Sequence, residues 1–387
     1  MRSHIKTLIP GIAATMMGIG FARFSFTPLS ALYVDQDIIS SENITLIAVF
    51  MMAAYFFGAI FASRLAERFG PKQVIRSCFV IVVAGLAFEG AMAGYFSSLI
   101  IRSFMNFAGA CLMVLGPAII LSSYKPEQRG MAAGVVFTGI GIGIVIAGAI
   151  VSVSAVFNVT VASALLFGVA LLVAKVGWQG WETPTLKKSD GGALTSLVNA
   201  PFIGLLAVYC LDAIAFIPHT VYLSDFVASE LGFGVESGGY FWAIFGLGGV
   251  VGALSATAVR RVFGGQLSLE MIVVIKAAAI GVVMFSTDKT IIAVSAFIVG
   301  ALVPAMVMLI SMRTLELVGP EQMARAWGLM TATFAIGQFV GATGMAAIYS
   351  VIKTYQPLFG FGGGAELLGL FALIIFTRII GSQQKEF

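Results

Sequence analysis

A single arginine lies near the middle of the first apolar stretch of the chain, in the run GIGFARFSFTPL from Gly18 to Leu29. Arg23 lies about 20 Å along a helix from Pro10, at about 1.5 Å per residue, which is too deep for easy contact with the membrane surface. Its guanidinium is permanently charged and can pair with carboxylate or phosphate through two parallel hydrogen bonds. A charge at that depth predicts a functional site, and Thr27, on the same helical face, is predicted to contact the same ligand.

A second set of polar and aromatic side chains lies in the seventh apolar stretch. Four of them fall within about 80° of one another on a helix with about 100° per residue, and therefore share one face: Tyr209, Asp212, Phe216 and His219. An acid or an imidazole in a suitable environment can bind and release a proton near neutral pH. We predict substrate contacts from Tyr209, Phe216 and His219, and a proton-coupling role for Asp212 or His219.

Glu89, Arg102 and Lys276 are also ionisable and lie inside apolar stretches, where a charge is costly. Glu89 and Arg102 lie at equal depth on either side of a short turn, so we predict a structural ion pair within one helical hairpin. Lys276 either extends to the membrane surface or packs inward on a neighbouring helix. Uncharged polar residues that would add to the lining of a site are Tyr55, Asn106, Trp242 and Gln338.

The composition of the chain predicts the elements that position these residues. Of 387 residues, 59% are hydrophobic and only 10% are charged, with a mean hydropathy of +1.02. Soluble domains carry about 25% charged residues, so the chain is predicted to be a membrane protein with many spans. The apolar runs are continuous rather than alternating with period two, which predicts helices and excludes an outer-membrane barrel. The fold class is therefore an all-α membrane protein.

Glycine, proline and charged residues divide the chain into twelve predicted transmembrane helices. Their predicted ranges are 8–32, 43–64, 74–94, 97–122, 131–153, 157–177, 199–224, 238–259, 268–286, 290–316, 325–350 and 363–381. An even number of spans places both termini on one side. Most of the 22 Lys and Arg residues also fall on that side, which predicts that both termini are cytoplasmic. The polar segment 178–198 is predicted to be a cytoplasmic linker between two six-helix bundles, 1–177 and 199–387.

An internal repeat relates the two predicted bundles. The turn KPEQRGMAAG, from Lys125 to Gly134, matches GPEQMARAWG, from Gly319 to Gly328, at an offset of 194 residues. The same offset relates Gly58 to Gly252, Gly143 to Gly337, and Phe69-Gly70 to Phe263-Gly264. A constant offset near half the chain length indicates a duplication. Parallel repeats of this kind build transporters whose substrate site lies between the two halves, near the middle of the bilayer.

Within such a duplicated fold, Arg23 and Asp212 lie in corresponding first helices of the two halves, which are expected to face one another. Two uses of Arg23 are open from the sequence. It binds an anionic group of the substrate directly, or it pairs with Asp212 until protonation or substrate binding breaks that pair.

The turn after the second helix, SRLAERFGPK, resembles the G-x-L-A-D-R-x-G-R-K motif of the major facilitator superfamily, and the resemblance extends over the whole chain. In that family the acidic residue and its arginine neighbours hold the cytoplasmic sides of the two bundles together. The resemblance implies that Glu67, Arg68 and Gly70 form such a gate, whereas the second copy carries Arg261 where an acid would lie. The alternative is a solvated basic loop that only sets the membrane orientation.

Within the superfamily, GFARFSFTPL is similar to the first helix of the bacterial YbfB/YjiJ-like branch, which has an RF-x-x-TP-L signature. That resemblance implies a transporter of the bacterial cytoplasmic membrane. The fifth helix has Gly134 and Gly143 at the spacing of the drug/proton antiporter motif. It has Ala147-Gly148 where that motif requires Gly-Pro, which weighs against an exporter of drugs.

Taken together, these features predict a secondary active transporter for a small organic solute, anionic or carboxylate-bearing, coupled to protons by symport or antiport. The alternative is a multidrug exporter working by proton antiport. A membrane enzyme or sensor is disfavoured, because the intramembrane histidine has neither metal-ligand spacing nor a nucleophile beside it. The expected partners are the solute, protons and the lipid bilayer. We expect a monomer with no nucleic acid, cofactor or metal.

Overall fold

The computed structural model of the protein describes residues 2–181 and 199–380. Within these residues, twelve helices are long and apolar enough to cross a membrane, and there is no β-strand. The all-helical fold predicted from composition is therefore confirmed. The predicted linker 178–198 lies, apart from its first four residues, outside the described part of the chain.

The twelve helices are numbered here in chain order. The first six are α1 (Thr7–Asp35), α2 (Ser41–Phe69), α3 (Pro71–Ala91), α4 (Tyr95–Ser122), α5 (Gln128–Ser154) and α6 (Val159–Gly177). The second six are α7 (Ala200–Glu230), α8 (Gly234–Phe263), α9 (Gly265–Phe285), α10 (Lys289–Gly319), α11 (Arg325–Ile352) and α12 (Gln356–Arg378). Each corresponds to one predicted span.

The start of α12 is the largest departure from the predicted boundaries. The helix begins at Gln356, with Pro357 in its first turn, whereas the sequence predicted a start at 363. Glycines suggested a loop there, but the helix continues through them because they let it approach its neighbours closely. A side chain on Gly362 would overlap the carbonyl oxygen of Ala215 in α7, and Gly363 lies against Gly281 in α9.

The duplication predicted from the sequence recurs in the packing of the two halves. Gly58 of α2 lies so close to the carbonyl oxygen of Phe107 in α4 that no side chain would fit between them. Gly252 of α8 lies against the carbonyl oxygen of Ala301 in α10 in the same way. Both members of the second contact lie 194 residues after those of the first, so one close helix crossing is present in each half.

The ends of α2 and α8 repeat the same backbone geometry. Gly70 ends α2 with φ +84°, and Gly264, again 194 residues later, ends α8 with φ +80°. Residues with a side chain rarely adopt such values, so glycine is the residue that allows both sharp turns.

The two halves meet along α5 and α8, where small residues face each other. Gly141 of α5 lies against Gly246 of α8, and Gly148 lies against Gly239. Because glycine has no side chain, the backbones of the two helices come into contact. Transmembrane helices associate in this way without a hydrophobic driving force.

The first helix of each half is interrupted near its middle. The α-helix Arg2–Thr15, which includes the start of α1, is followed by a π-helical segment, Met16–Phe21, and α-helix resumes at Phe26. In α7 the helix Ala200–Ala215 is followed by a π-helical segment that begins at Pro218. Pro28 has no N–H to donate to the Phe24 carbonyl one turn earlier. The indole Nε1 of Trp242 in α8 donates to that carbonyl instead, at 2.9 Å.

Candidate functional site

Arg23 lies in the interruption of α1, in the turn between the π-helical segment and Phe26. The residue is only 3% exposed. Its Nη1 donates a hydrogen bond to Oε1 of Gln338 in α11, at 2.9 Å. The guanidinium carbon lies 5.0 Å from the ring centre of Phe24 and 5.2 Å from that of Tyr55 in α2. Arg23 therefore links the two halves of the protein.

The other edge of the same guanidinium has no partner in the part of the chain that the structure describes. Nε and Nη2 of Arg23 are buried and make no hydrogen bond within the described residues, and no acid pairs with the side chain there. Nε–H and the adjacent Nη2–H point in parallel, which is the geometry that binds both oxygens of a carboxylate. The amide nitrogen of Gln338 is also unpartnered. We call Arg23, Tyr55 and Gln338 the Arg23 site.

The interruption that carries Arg23 is held in place by α4. Asn106 donates through Nδ2 to the carbonyl oxygen of Ala22, at 3.2 Å, and to that of Arg102, at 2.9 Å. Arg102 donates from Nη1 to the hydroxyl of Ser25, at 2.8 Å. Asn106, predicted as lining for a site, thus bonds to the backbone next to Arg23.

Glu89 and Arg102 form a two-pronged ion pair between α3 and α4. Nε of Arg102 lies 2.7 Å from Oε1 of Glu89, and Nη2 lies 2.5 Å from Oε2. Both side chains are completely buried. Because Arg102 also reaches Ser25 in α1, the pair positions the interruption of α1 as well as joining its own hairpin.

Thr27 also bonds within the protein. Its hydroxyl donates to the carbonyl oxygen of Thr220 in α7, so it joins the interrupted parts of α1 and α7 across the two halves.

Asp212 faces the interior of the second half. Its carboxylate forms an ion pair with Nζ of Lys276 in α9, and both side chains are buried. Lys276 also lies 4.8 Å from the ring centre of Phe216. The ion pair between Arg23 and Asp212, one of the two alternatives from the sequence, is not formed in this structure. The rotation of α7 about its axis turns Asp212 toward α9, whereas Arg23 points toward α2 and α11.

The aromatic residues on this face of α7 pack against α11. The ring centres of Tyr209 and Phe334 are 4.5 Å apart, and those of Phe216 and Phe334 are 5.8 Å apart.

His219 lies between α7, α10 and α12. Its Nε2 is 2.8 Å from the hydroxyl of Ser295, and that hydroxyl donates to the carbonyl oxygen of Ala279. The hydroxyl proton is therefore already used, so Nε2 carries the proton of the histidine and donates it to Ser295. His219 packs edge-on against Phe359, 5.0 Å between ring centres, and its Nδ1 has no partner within the described residues.

The three residues of the implied gate lie at the end of α2. Glu67 and Arg68 are exposed, and Arg68 lies over the ring of Phe69, 5.3 Å from its centre. Within the described residues, neither makes an ion pair or a side-chain hydrogen bond to the second half. Polar contacts between the halves occur instead at the other end of the protein, which is predicted to be the outer end, where Ser41 donates to Asp225 at 3.0 Å and Lys353 pairs with Glu42 at 2.7 Å.

The sequence analysis did not select three of the buried acids, Asp225, Glu270 and Glu366. Asp225 accepts a hydrogen bond from Tyr355 and Glu270 pairs with Arg378, whereas Glu366 has no hydrogen-bond partner among the described residues.

Glu366 of α12 is 1% exposed, and neither carboxyl oxygen has a hydrogen-bond partner among the described residues. It lies on the face of α12 that contacts α7, between Gly362, which lies against Ala215, and Gly369, which lies against Val208, so it is level with Asp212. An acid inside the predicted span 363–381 was the signal that could have found it. We call Asp212, Lys276 and Glu366 the Asp212 cluster.

No group of three or more His, Cys, Asp or Glu side chains that could hold a metal ion occurs in the part of the chain that the structure describes. No curated protein matches the chain. A family model described as "Uncharacterised MFS-type transporter YbfB" matches residues 15–375. That match includes eleven of the twelve helices in full or nearly so, together with the interrupted α1 and the Asp212 cluster. The protein therefore belongs to the YbfB family of major facilitator superfamily transporters.

Proposed function

We propose that this membrane transporter moves a small organic anion, with a carboxylate as the recognised group, across the bacterial cytoplasmic membrane. The observation that carries the proposal is the unpartnered Nε–Nη2 edge of Arg23. A buried guanidinium without an acid partner is unfavourable, and an anion that accepts both hydrogen bonds supplies the missing charge. The substrate site is the Arg23 site, with Thr27, Asn106, Tyr209, Phe216 and His219 as the further candidate contacts from the sequence.

The position of Arg23 supports secondary active transport by alternating access. In transporters built from two repeats, the substrate lies between the halves and both halves contact it. Arg23 comes from α1 and its partner Gln338 comes from α11, so an anion bound beside them would touch both halves. The hydrogen bond between the two residues would then be one that substrate binding rearranges.

Protons are the proposed coupling ion, with Asp212 and His219 as the candidates from the sequence. The contacts of His219 favour the neutral ring, because its single proton already bonds to Ser295 and a second would add an unpaired N–H. Asp212 belongs to a buried cluster in which acids outnumber bases. Coupling through the acid cluster is therefore the form of the proposal that we favour.

The remaining expectations belong to the same proposal. Glu67, Arg68 and Gly70 close the cytoplasmic side when the transporter opens outward, with both termini in the cytoplasm and a monomer as the working unit. Among the described residues, Glu67 and Arg68 are exposed and make no polar contact with the second half, whereas polar contacts join the two halves at the opposite end. Both observations support a conformation that is closed at the predicted outer face.

Transport by purified full-length protein in proteoliposomes tests the proposal. Labelled mono- and dicarboxylates are offered with and without a pH gradient, and each acid is compared with its neutral amide. We expect uptake or efflux of at least one acid, no transport of its amide, and loss of transport in Arg23→Gln. The control variant is Arg261→Gln, an exposed arginine with no ion pair in the described residues. Equal transport of acids and amides would contradict the proposal.

A multidrug exporter of organic cations is the alternative. The unpaired charge between the two halves is positive, which opposes a cation at that position. Transport of lipophilic cations, but of no acid, in the same liposomes would establish the alternative.

A further inference from the structure

Three ionisable side chains from three helices meet inside the second half of the protein. Asp212 comes from α7, Lys276 from α9 and Glu366 from α12, and all three are at least 98% buried. Lys276 binds Asp212 directly. Glu366 lies between Gly362 and Gly369 on the face of α12 that contacts α7, and these two glycines lie against Ala215 and Val208, on either side of Asp212. Gly363, on the same part of α12, lies against the carbonyl oxygen of Ala277, the residue after Lys276. None of the three side chains is exposed to bulk solvent.

The charges in the cluster do not balance unless a proton is present. Two carboxylates and one ammonium would leave one negative charge among buried side chains. Lys276 already forms an ion pair with Asp212, and both oxygens of Glu366 lack a hydrogen-bond donor among the described residues. A buried carboxylate without any donor is strongly unfavourable, whereas a protonated carboxyl group is neutral and can donate to the neighbouring Asp212.

Other ionisable groups near α12 do not supply the missing positive charge. His219 of α7 packs against Phe359, near the start of α12, and its one proton is donated to Ser295. At the opposite end of the helix, Arg378 is paired with Glu270 of α9. Tyr209 of α7 interacts with Asp212 but carries no positive charge.

We propose that Glu366 is the group that binds and releases the coupled proton. The resulting change in its charge determines whether Lys276 pairs with Asp212 alone. This inference rests on the proposed proton coupling and names a residue that the sequence did not suggest. When the proton leaves, Glu366 and Asp212 compete for the one ammonium of Lys276. When it returns, Lys276 is bound to Asp212 alone.

The packing around the cluster gives this exchange a route to the substrate site. Gly362 and Gly363, one turn before Glu366, contact the backbones of α7 and α9 directly. The contact on α7 is Ala215, where the α-helix ends before the interrupted segment. Farther along α7, the carbonyl oxygen of Thr220 accepts a hydrogen bond from Thr27 of α1, the helix that carries Arg23. A shift of Lys276 between two carboxylates therefore acts on helices that touch the substrate site.

Infrared spectroscopy on full-length protein in liposomes, without substrate, tests the assignment of the proton. Spectra at acidic and alkaline pH differ in the absorption of protonated carboxyl groups. We expect a buried carboxyl band in the wild type that shifts when glutamate is isotopically labelled and does not shift when aspartate is labelled. This measurement needs no mutation, so it stands even when a variant fails to fold. If no band shifts with the glutamate label, the proposal is overturned.

Variants then locate the glutamate. We expect Glu366→Gln to abolish the band, whereas the control Glu270→Gln keeps it, because Glu270 is a buried acid of the same helix pair whose charge is balanced by Arg378. Persistence of the band in Glu366→Gln would overturn the proposal. Glu366→Asp retains a carboxyl group and is expected to restore the band at a shifted pH.

Transport separates this inference from the proposed function. In liposomes, Glu366→Gln should exchange an identified acid at equal pH on both sides but fail to accumulate it against a gradient. Accumulation by Glu366→Gln equal to that of the wild type would overturn the inference and leave the anion proposal intact. Failure of the wild type to transport any acid would contradict the proposed function, while the infrared result would still decide which residue holds the proton.

Discussion

Replacing Arg23 with glutamine removes the charge and both free donors of the guanidinium while leaving a polar side chain beside Gln338. In the proposed complex, Nε and Nη2 each donate to one oxygen of a buried carboxylate. Truncating one partner of a buried, hydrogen-bonded charge pair costs about 2–5 kcal/mol. A loss of about 3 kcal/mol weakens binding about 100-fold, because each 1.4 kcal/mol is a factor of about ten. Arg23→Lys keeps the charge but loses the two-pronged geometry, so a smaller loss, about tenfold, is expected.

Calorimetric titration of the detergent-solubilised protein with an acid and its neutral amide measures these losses. The wild type should prefer the acid by about the factor that Arg23→Gln loses, and Arg23→Gln should bind acid and amide equally. This comparison isolates the contact between guanidinium and carboxylate, because a general disturbance of the site would weaken both ligands together. If the wild type binds acid and amide alike, or if Arg23→Gln retains the preference, Arg23 does not recognise a carboxylate.

Three further predictions concern the contacts that hold the site in place, and thermal unfolding in detergent measures each. Glu89→Gln leaves Arg102 buried without its acid and should destabilise the protein by about 3–5 kcal/mol. The double variant Glu89→Gln/Arg102→Gln should recover part of that loss, and additive losses would contradict a direct ion pair. Trp242→Phe leaves the Phe24 carbonyl without its donor and should lower the free energy of unfolding by about 1–3 kcal/mol. The loss should be smaller in a Pro28→Ala background, where a backbone N–H is restored. An equal loss in both backgrounds would refute this role for the indole. Gly252→Ala would place a methyl group on the Ala301 carbonyl and should lower the free energy of unfolding by about 1–3 kcal/mol. The control Gly344→Ala, with open space around the residue, should change it little. Matching losses in the two variants would show that the close crossing is not the cause.

The helices and their pairing within a hairpin could be predicted from the sequence. Each span depends on a continuous apolar run of sufficient length, which is a local property of the chain. The pairing of Glu89 with Arg102 was also accessible, because a short turn places the two residues at equal depth on neighbouring helices. The constant offset of 194 residues predicted equivalent packing in the two halves, and the crossings at Gly58 and Gly252 agree with it.

The partners of the other buried polar residues depended on tertiary structure. Asp212 and His219 share a helical face in the sequence, but the neighbours of that face are set by how α7 rotates within the second half. Asp212 therefore meets Lys276 rather than Arg23, and His219 meets Ser295. Thr27 and Asn106 were predicted as ligand contacts, and both bond to backbone carbonyls because interrupted helices leave such groups to be satisfied.

The sequence by itself determined that this protein is a duplicated, twelve-helix membrane transporter with a deeply buried arginine in its first helix. The tertiary structure alone decided that one edge of this arginine has no hydrogen-bond partner among the described residues, and that Glu366 joins Asp212 and Lys276. The physical reason is that helix formation and membrane insertion follow from residues close together in the chain. Charge pairing inside the bundle depends on how helices distant in the chain are rotated and packed against one another.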